Sequence, residues 1–198
     1  PFVYVENHQV VDRQEGENIH VVGTGENEPP SKRRKDEDIA IIQTARAVRF
    51  IEDHKDKPFF LYFAPCNVHL PHTPNPRFRG TSRCGIYGDF IHEFDWSVGR
   101  IIKTLDRLDL ADNTLLIVTS DNGATLKPSS EFGHRSCGDL RGQKADIHEG
   151  GHRVPFIARW PGKIKPGTTS DELICLADLP ATCAAVVGVG LPDDAAED

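Results

Sequence analysis

Methionine is missing from all 198 residues. Pro1 is therefore no translational start, and the chain is expected to be a processed product, a partial gene or an excised piece, with any export signal upstream. Long apolar runs are missing too. No stretch approaches the ~18 residues that mark a membrane-crossing helix, so no helical span is expected. Positive charge is in short supply: 23 Lys and Arg stand against 30 Asp and Glu, a formal net charge of -7. A duplex-binding domain normally presents a basic face, so nucleic acid is not an expected partner. The one basic block, Lys32-Arg33-Arg34-Lys35, runs straight into Asp36, Glu37 and Asp38 and reads as a solvated loop. Paired cysteines are also lacking. Cys66, Cys84, Cys137, Cys175 and Cys183 are scattered and form no C-x-x-C pair, which points to neither a disulfide framework nor a zinc site.

What is present is enough chain for one domain with a sizeable core. Residues 1–37 read as irregular apart from a short "FVYVE" run near the start, with Gly, Asn, Glu and Pro crowding "TGENEPPSK" into a surface loop. From Asp38 the pattern changes. Ile41, Ala45, Val48 and Ile51 recur at helical steps, with Asp36 or Asp38 as the cap. "FFLYFA" (59–64) follows as an unbroken apolar run, the pattern of a strand covered on both faces in a parallel sheet. A second helix is expected over 89–108, on a stripe of Phe90, Phe94, Val98, Ile101, Leu105 and Leu108. "TLLIVTS" (114–120) then gives a buried strand, completing a βαβ unit. "VPFIARW" (154–160) is a third strand candidate, and a short apolar helix spans 178–187. The fold class is α/β, a mostly parallel sheet sandwiched by helices.

In open α/β sheets, ligands sit at the carboxyl ends of strands, which directs attention to two places. After "TLLIVTS" come Asp121, Asn122 and Gly123. A carboxylate and a carboxamide are hard oxygen donors suited to Ca²⁺ or Mg²⁺, and an Asp-Asn-Gly turn is the competing reading. After "FFLYFA" comes "PCNVHLPHTP", whose prolines stiffen a loop carrying His69 and His72. A held imidazole can donate to an anionic oxygen or protonate a leaving group; incidental surface histidines are the alternative. The third element is "LRGQKADIHEGGHRVP" (140–155). Its Lys144 can neutralise an anion as a compact point charge, although an isolated lysine is ordinarily a solvated one.

Taken in this order, these segments resemble the type I sulfatases, the formylglycine-dependent family within the alkaline-phosphatase-like superfamily. The likeness runs from Pro58 to Pro192, through "PFFLYFA", "NVHLPHTP", "FDWSVGRIIKTLDRLDLADNTLLIVTSDNG", "LRGQKADIHEGGHRVPFIARWPGKIKPG" and "LADLPATCAAVVGVGLPDDAA". "VYVENHQVV" near the start is similar to a segment of bacterial arylsulfatase-like members. The resemblance implies a central-to-C-terminal part of a catalytic domain over 38–192, with a tail at 193–198. It implies a sulfuric ester hydrolase acting on a sulfated small molecule or carbohydrate, with no nucleic acid and no membrane span. Asp121 and Asn122 would ligate the divalent cation, usually calcium. His69 would contact sulfate or protonate the leaving alcohol, and Lys144 would bind a sulfate oxygen. His134, in "FGHRS", is a further candidate for the substrate pocket. His72 has no family counterpart, and Glu149 is expected to serve the turn. Family members are commonly exported or lysosomal, so a periplasmic or extracellular setting is implied.

The sequence departs from the family at the nucleophile. The formylglycine arises from cysteine in a C-x-P-S-R motif, and none of the five cysteines has that context: Cys66 is followed by Asn-Val-His and Cys84 by Gly-Ile-Tyr. The paired aspartates that complete the family's metal site are missing as well. Both are expected upstream of Pro1, and the chain alone is expected to be inactive. A phosphonate or phosphodiester hydrolase of the same superfamily is the rival enzyme, and a non-catalytic remnant of the fold the rival from another class.

Overall fold

The computed structural model describes residues 4–11, 35–192 and 195. Most of the loop expected over 1–37, and all but one residue of the tail 193–198, lie outside the described residues. The chain divides into two units. One lies within Pro1–Ala111 and Leu126–Ser136, the other within Asp112–Thr125 and Cys137–Asp198.

The first unit opens on a hairpin, β1 (Val5–Glu6) and β2 (Gln9–Val10), whose first strand falls at the end of the "FVYVE" run. Asn7 and His8 both take positive φ at its tip, as a two-residue turn of matching twist requires. Glu6 receives two 2.9 Å bonds from Arg46 on α1 (Ile39–Asp53). The face that α1 buries is not the one expected. Ala40, Thr44, Ala47 and Ile51 are buried, whereas Ala45 is exposed and Ile41 and Val48 are half-buried. The reason is the neighbour. α2 (Gly85–Arg107) packs against α1, and small residues let the backbones approach. The Thr44 hydroxyl donates to Ser97 Oγ at 2.9 Å, inside the contact.

α2 starts four residues earlier than expected. Phe90, Ile101 and Leu105 are buried as expected; Phe94, Val98 and Leu108 are half-buried. Polar Glu93, Ser97 and Thr104 are buried among them, and Tyr87, Gly88 and Asp89 are buried in the first turn. A short helix, α3 (Lys127–Ser130), also packs on α2. Residues 59–64 pair with no strand among the described residues. Phe59, Leu61 and Phe63 are half-buried, while Phe60 (75%) and Tyr62 (81%) stand exposed. The run is thus covered on one face, where cover on both was expected.

The second unit is built on β3 (Leu116–Val118) and β4 (Ile157–Arg159). They pair antiparallel, Leu116 with Arg159 and Val118 with Ile157. Among the described residues no parallel pair forms, and this ladder runs antiparallel within a class expected to be a mostly parallel sheet. The cause is local. The Gly123 N–H donates to Gly151 O at 2.8 Å, which pins the entry to β4 beside the exit of β3, so the chain must run back along it. Between the two lies α4 (Glu149–His152), and Trp160 Nε1 donates to Asp112 O at 3.0 Å. α5 (Asp178–Val187) spans the residues expected and ends on Gly188 at φ 71°, a left-handed cap.

Candidate functional site

The loop from Cys66 to Asn75 belongs to the first unit and is tied down at three points. Asn67 Nδ2 donates to Glu93 Oε2 at 3.1 Å and to Phe90 O at 3.4 Å. The Asn75 N–H donates to Glu93 Oε1 at 3.3 Å, and its amide nitrogen to Glu37 O and Asp38 Oδ1. Asp38, expected as a helix cap, makes no capping bond; it holds the loop instead. The third point is His72, whose ring lies 5.1 Å from that of Tyr87 and 6.3 Å from that of Phe90. Burial, and then the neighbouring His69 charge, lower the His72 pKa. His72 is an anchor.

His69 is different. It is exposed, with Nδ1 held 2.7 Å from Leu70 O. A carbonyl only accepts, so this contact puts a proton on Nδ1 and leaves Nε2 as the other ring nitrogen. His69 lines a cleft of about 340 Å³ with Asp36, Ile39, Cys66, Leu70 and Phe90. His134 also belongs to the first unit. It is exposed after α3, its N–H donating to Ser129 O at 3.3 Å.

Asp121, Asn122 and Lys144 belong to the second unit, and main-chain bonds knit their segments together. Lys144 N donates to Ala124 O at 2.9 Å, Gly150 N to Arg141 O at 2.8 Å and Gly151 N to His148 O at 2.7 Å. Three glycines make this possible. A Cβ on Gly123 would collide with Gly150 O, one on Gly150 with Gly142 O, and one on Gly151 with Asp146 O. The Cys137 thiol adds contacts to Gly150 O at 3.4 Å and Ala124 O at 3.8 Å. The lysine is half-buried, not the solvated side chain its isolation in sequence would suggest. Glu149 begins α4 and reaches Arg153 at 3.4 Å, in keeping with a structural role.

Asp121 is exposed at the tip of β3, and Asn122 is half-buried. Ser120 Oγ donates to Asp121 Oδ1 at 3.4 Å and to Asn122 O at 3.2 Å, which restrains the pair. Their oxygens suit a hard cation, yet calcium takes about six to eight oxygen ligands. Among the described residues no group of three or more His, Cys, Asp or Glu is arranged to hold a metal. The pair fits as part of a shell and not as a whole one.

Glu93 went unnoticed in the sequence. Its signal was a charged residue on the apolar stripe of α2, three residues after Phe90 and four before Ser97. No described helix is long and apolar enough to cross a membrane.

The profile of the sulfatase family matches residues 7–189. An N-acetylgalactosamine-6-O-sulfatase of Bacteroides thetaiotaomicron is 46% identical over 83% of this chain and 33% of its own length. The steryl-sulfatase of Rattus norvegicus is 45% identical over 73% of this chain and 26% of its own. A solved structure concerned with the metabolism of multiple glycosaminoglycans by Bacteroides thetaiotaomicron superposes on the whole chain and on 50% of its own, with a TM-score of 0.91 and 39% identity. The chain therefore spans a quarter to a third of these curated relatives, and its α/β class is that of the solved sulfatases.

Proposed function

Because the chain belongs to the sulfatase family, we propose that it carries part of the site at which a sulfate monoester is hydrolysed. The substrate class that fits is a sulfated carbohydrate, in line with the N-acetylgalactosamine-6-O-sulfatase name of one relative. Asp121 and Asn122 are two oxygen ligands of a divalent cation, calcium by resemblance. When bound, that cation supplies positive charge beside the sulfate oxygens. Lys144 adds an ammonium to one of those oxygens. His69, carrying its second proton, donates from Nε2 to the bridging oxygen as the S–O bond breaks, so that the sugar leaves as an alcohol rather than an alkoxide. His134 is kept as a pocket residue. No cysteine of this chain stands in a C-x-P-S-R context, so the family's formylglycine cannot form on it.

The observation that carries this proposal is the main-chain bond from Lys144 N to Ala124 O at 2.9 Å. It holds the cationic residue next to the acid–amide tip of β3, which a plain turn and an unrelated surface lysine would not need. Named relatives are sulfatases, and nothing in the chain favours a phosphonate or phosphodiester substrate instead. The test is turnover of an aryl sulfate and of a sulfated sugar by a complete sulfatase containing this sequence. His69→Ala, Lys144→Ala and Asp121→Ala should each lower kcat by about 10²–10³. Full activity in Lys144→Ala and Asp121→Ala together would overturn it.

A further inference from the structure

We infer that Glu93 is the positioning residue of the His69 loop: from inside α2 it grips the loop on both sides of the histidine and fixes where the imidazole is presented. This inference rests on the role proposed above for His69.

The geometry is specific. Glu93 is fully buried, which is rare for a carboxylate unless it is partnered. Its two oxygens are divided between two loop positions, Asn67 Nδ2 on one side of His69 and Asn75 N–H on the other. The other acceptor of Asn67 Nδ2, Phe90 O, is more distant at 3.4 Å, and Asn67 Oδ1 is buried and unpartnered. Inside the loop, the His69 N–H donates to Cys66 O at 3.0 Å, so the backbone that carries the imidazole closes back on the residue next to Asn67. Burial raises the Glu93 pKa, against the pull of the Asn75 and Asn67 bonds and of the Arg77 charge. Arg77 lies with its guanidinium 3.8 Å from the Trp96 ring centroid, so the positive group that faces Glu93 is itself held in place.

A buried acid used merely as filler is replaceable by an apolar residue of similar volume. Glu93 is not in that position, since both oxygens serve N–H donors of a loop that bears a proposed acid. Glutamine keeps the shape but turns one oxygen into an N–H₂ group, which then faces either Asn67 Nδ2 or the Asn75 N–H, donor against donor.

The experiment compares wild type, Glu93→Gln and Asn67→Ala by NMR hydrogen exchange and imidazole ¹⁵N spectra. The chain is observed directly, and kcat and KM are measured in the complete sulfatase. Asn67→Ala cuts the grip from the loop side and leaves α2 intact should Glu93→Gln fail to fold. In both variants the His69 amide should exchange about tenfold faster, while core amides such as Ile51 and Leu105 keep their protection. The Nδ1–H preference of the His69 ring should weaken, and kcat should fall about tenfold with KM little changed. Unchanged His69 exchange and ring spectra in both variants, or equal loosening of the loop and the core, would overturn the inference. His69→Ala separates the two ideas. If it leaves turnover intact while Glu93→Gln still loosens the loop, the role of His69 fails, and with it positioning for catalysis, although the grip on the loop stands.

Discussion

His69 and His72 are three residues apart on one loop and have opposite surroundings. The first is exposed with Nδ1 on Leu70 O; the second is half-buried against Tyr87 and Phe90. Chemistry needs the first kind of histidine and loop rigidity needs the second. A pH consequence follows at this scale. The folded His72 pKa is lowered from its ordinary 6.5, so on acidification the unfolded chain takes up that proton first. Its contribution to stability is present above pH 6.5 and is lost as pH falls through the lowered folded value. Thermal melts should show Tm dropping as pH falls below 6.5, and His72→Phe, which keeps an aromatic ring against Tyr87, should flatten part of that drop. Glu93 acts with the opposite sign. Its raised folded pKa gives stability that is lost as pH rises, so the difference between wild type and His72→Phe isolates the histidine.

At the scale of elements, the junction of β3, α4 and β4 depends on close backbone contact. Gly123, Gly150 and Gly151 each meet a carbonyl where a Cβ would stand. Gly123→Ala should cost about 1–3 kcal/mol by forcing the segments apart. Urea unfolding followed by Trp160 fluorescence checks it, in a Trp96→Phe background because Trp96 belongs to the other unit. The sequence made α5 and most of α2 legible because their apolar positions repeat at helical spacing. It misjudged the buried face of α1, since periodicity weights bulky side chains and the helix crossing selects Ala40, Thr44 and Ala47. It did not give the pairing of β3 with β4. An apolar run says that a segment is buried, while its partner and direction are set by contacts distant in sequence, here Gly123 with Gly151. For the proposed site, Asp121, Asn122, His69 and Lys144 stood out by residue type and family resemblance. Glu93 did not, because its partners Asn67 and Asn75 lie 26 and 18 residues away.

For the whole molecule, the decisive quantity is how much of a site one chain can assemble. In the role proposed for them, Asp121 and Asn122 would bring two oxygen-bearing side chains to a cation that takes about six to eight. Titration calorimetry on this chain should therefore show no micromolar calcium binding, and aryl sulfate should not be turned over by it. Tight calcium binding would mean that unrecognised donors complete the shell.

The exposed rings of Phe60 and Tyr62 bear on how the protein behaves in a tube. Every second side chain of residues 59–64 is bare, and the run's backbone N–H and C=O groups meet no neighbouring strand among the described residues. Such a ribbon is a template for stacking between copies. Concentrated stocks should turn cloudy on storage, and a lysine in place of Tyr62 is the gatekeeper that would keep them clear.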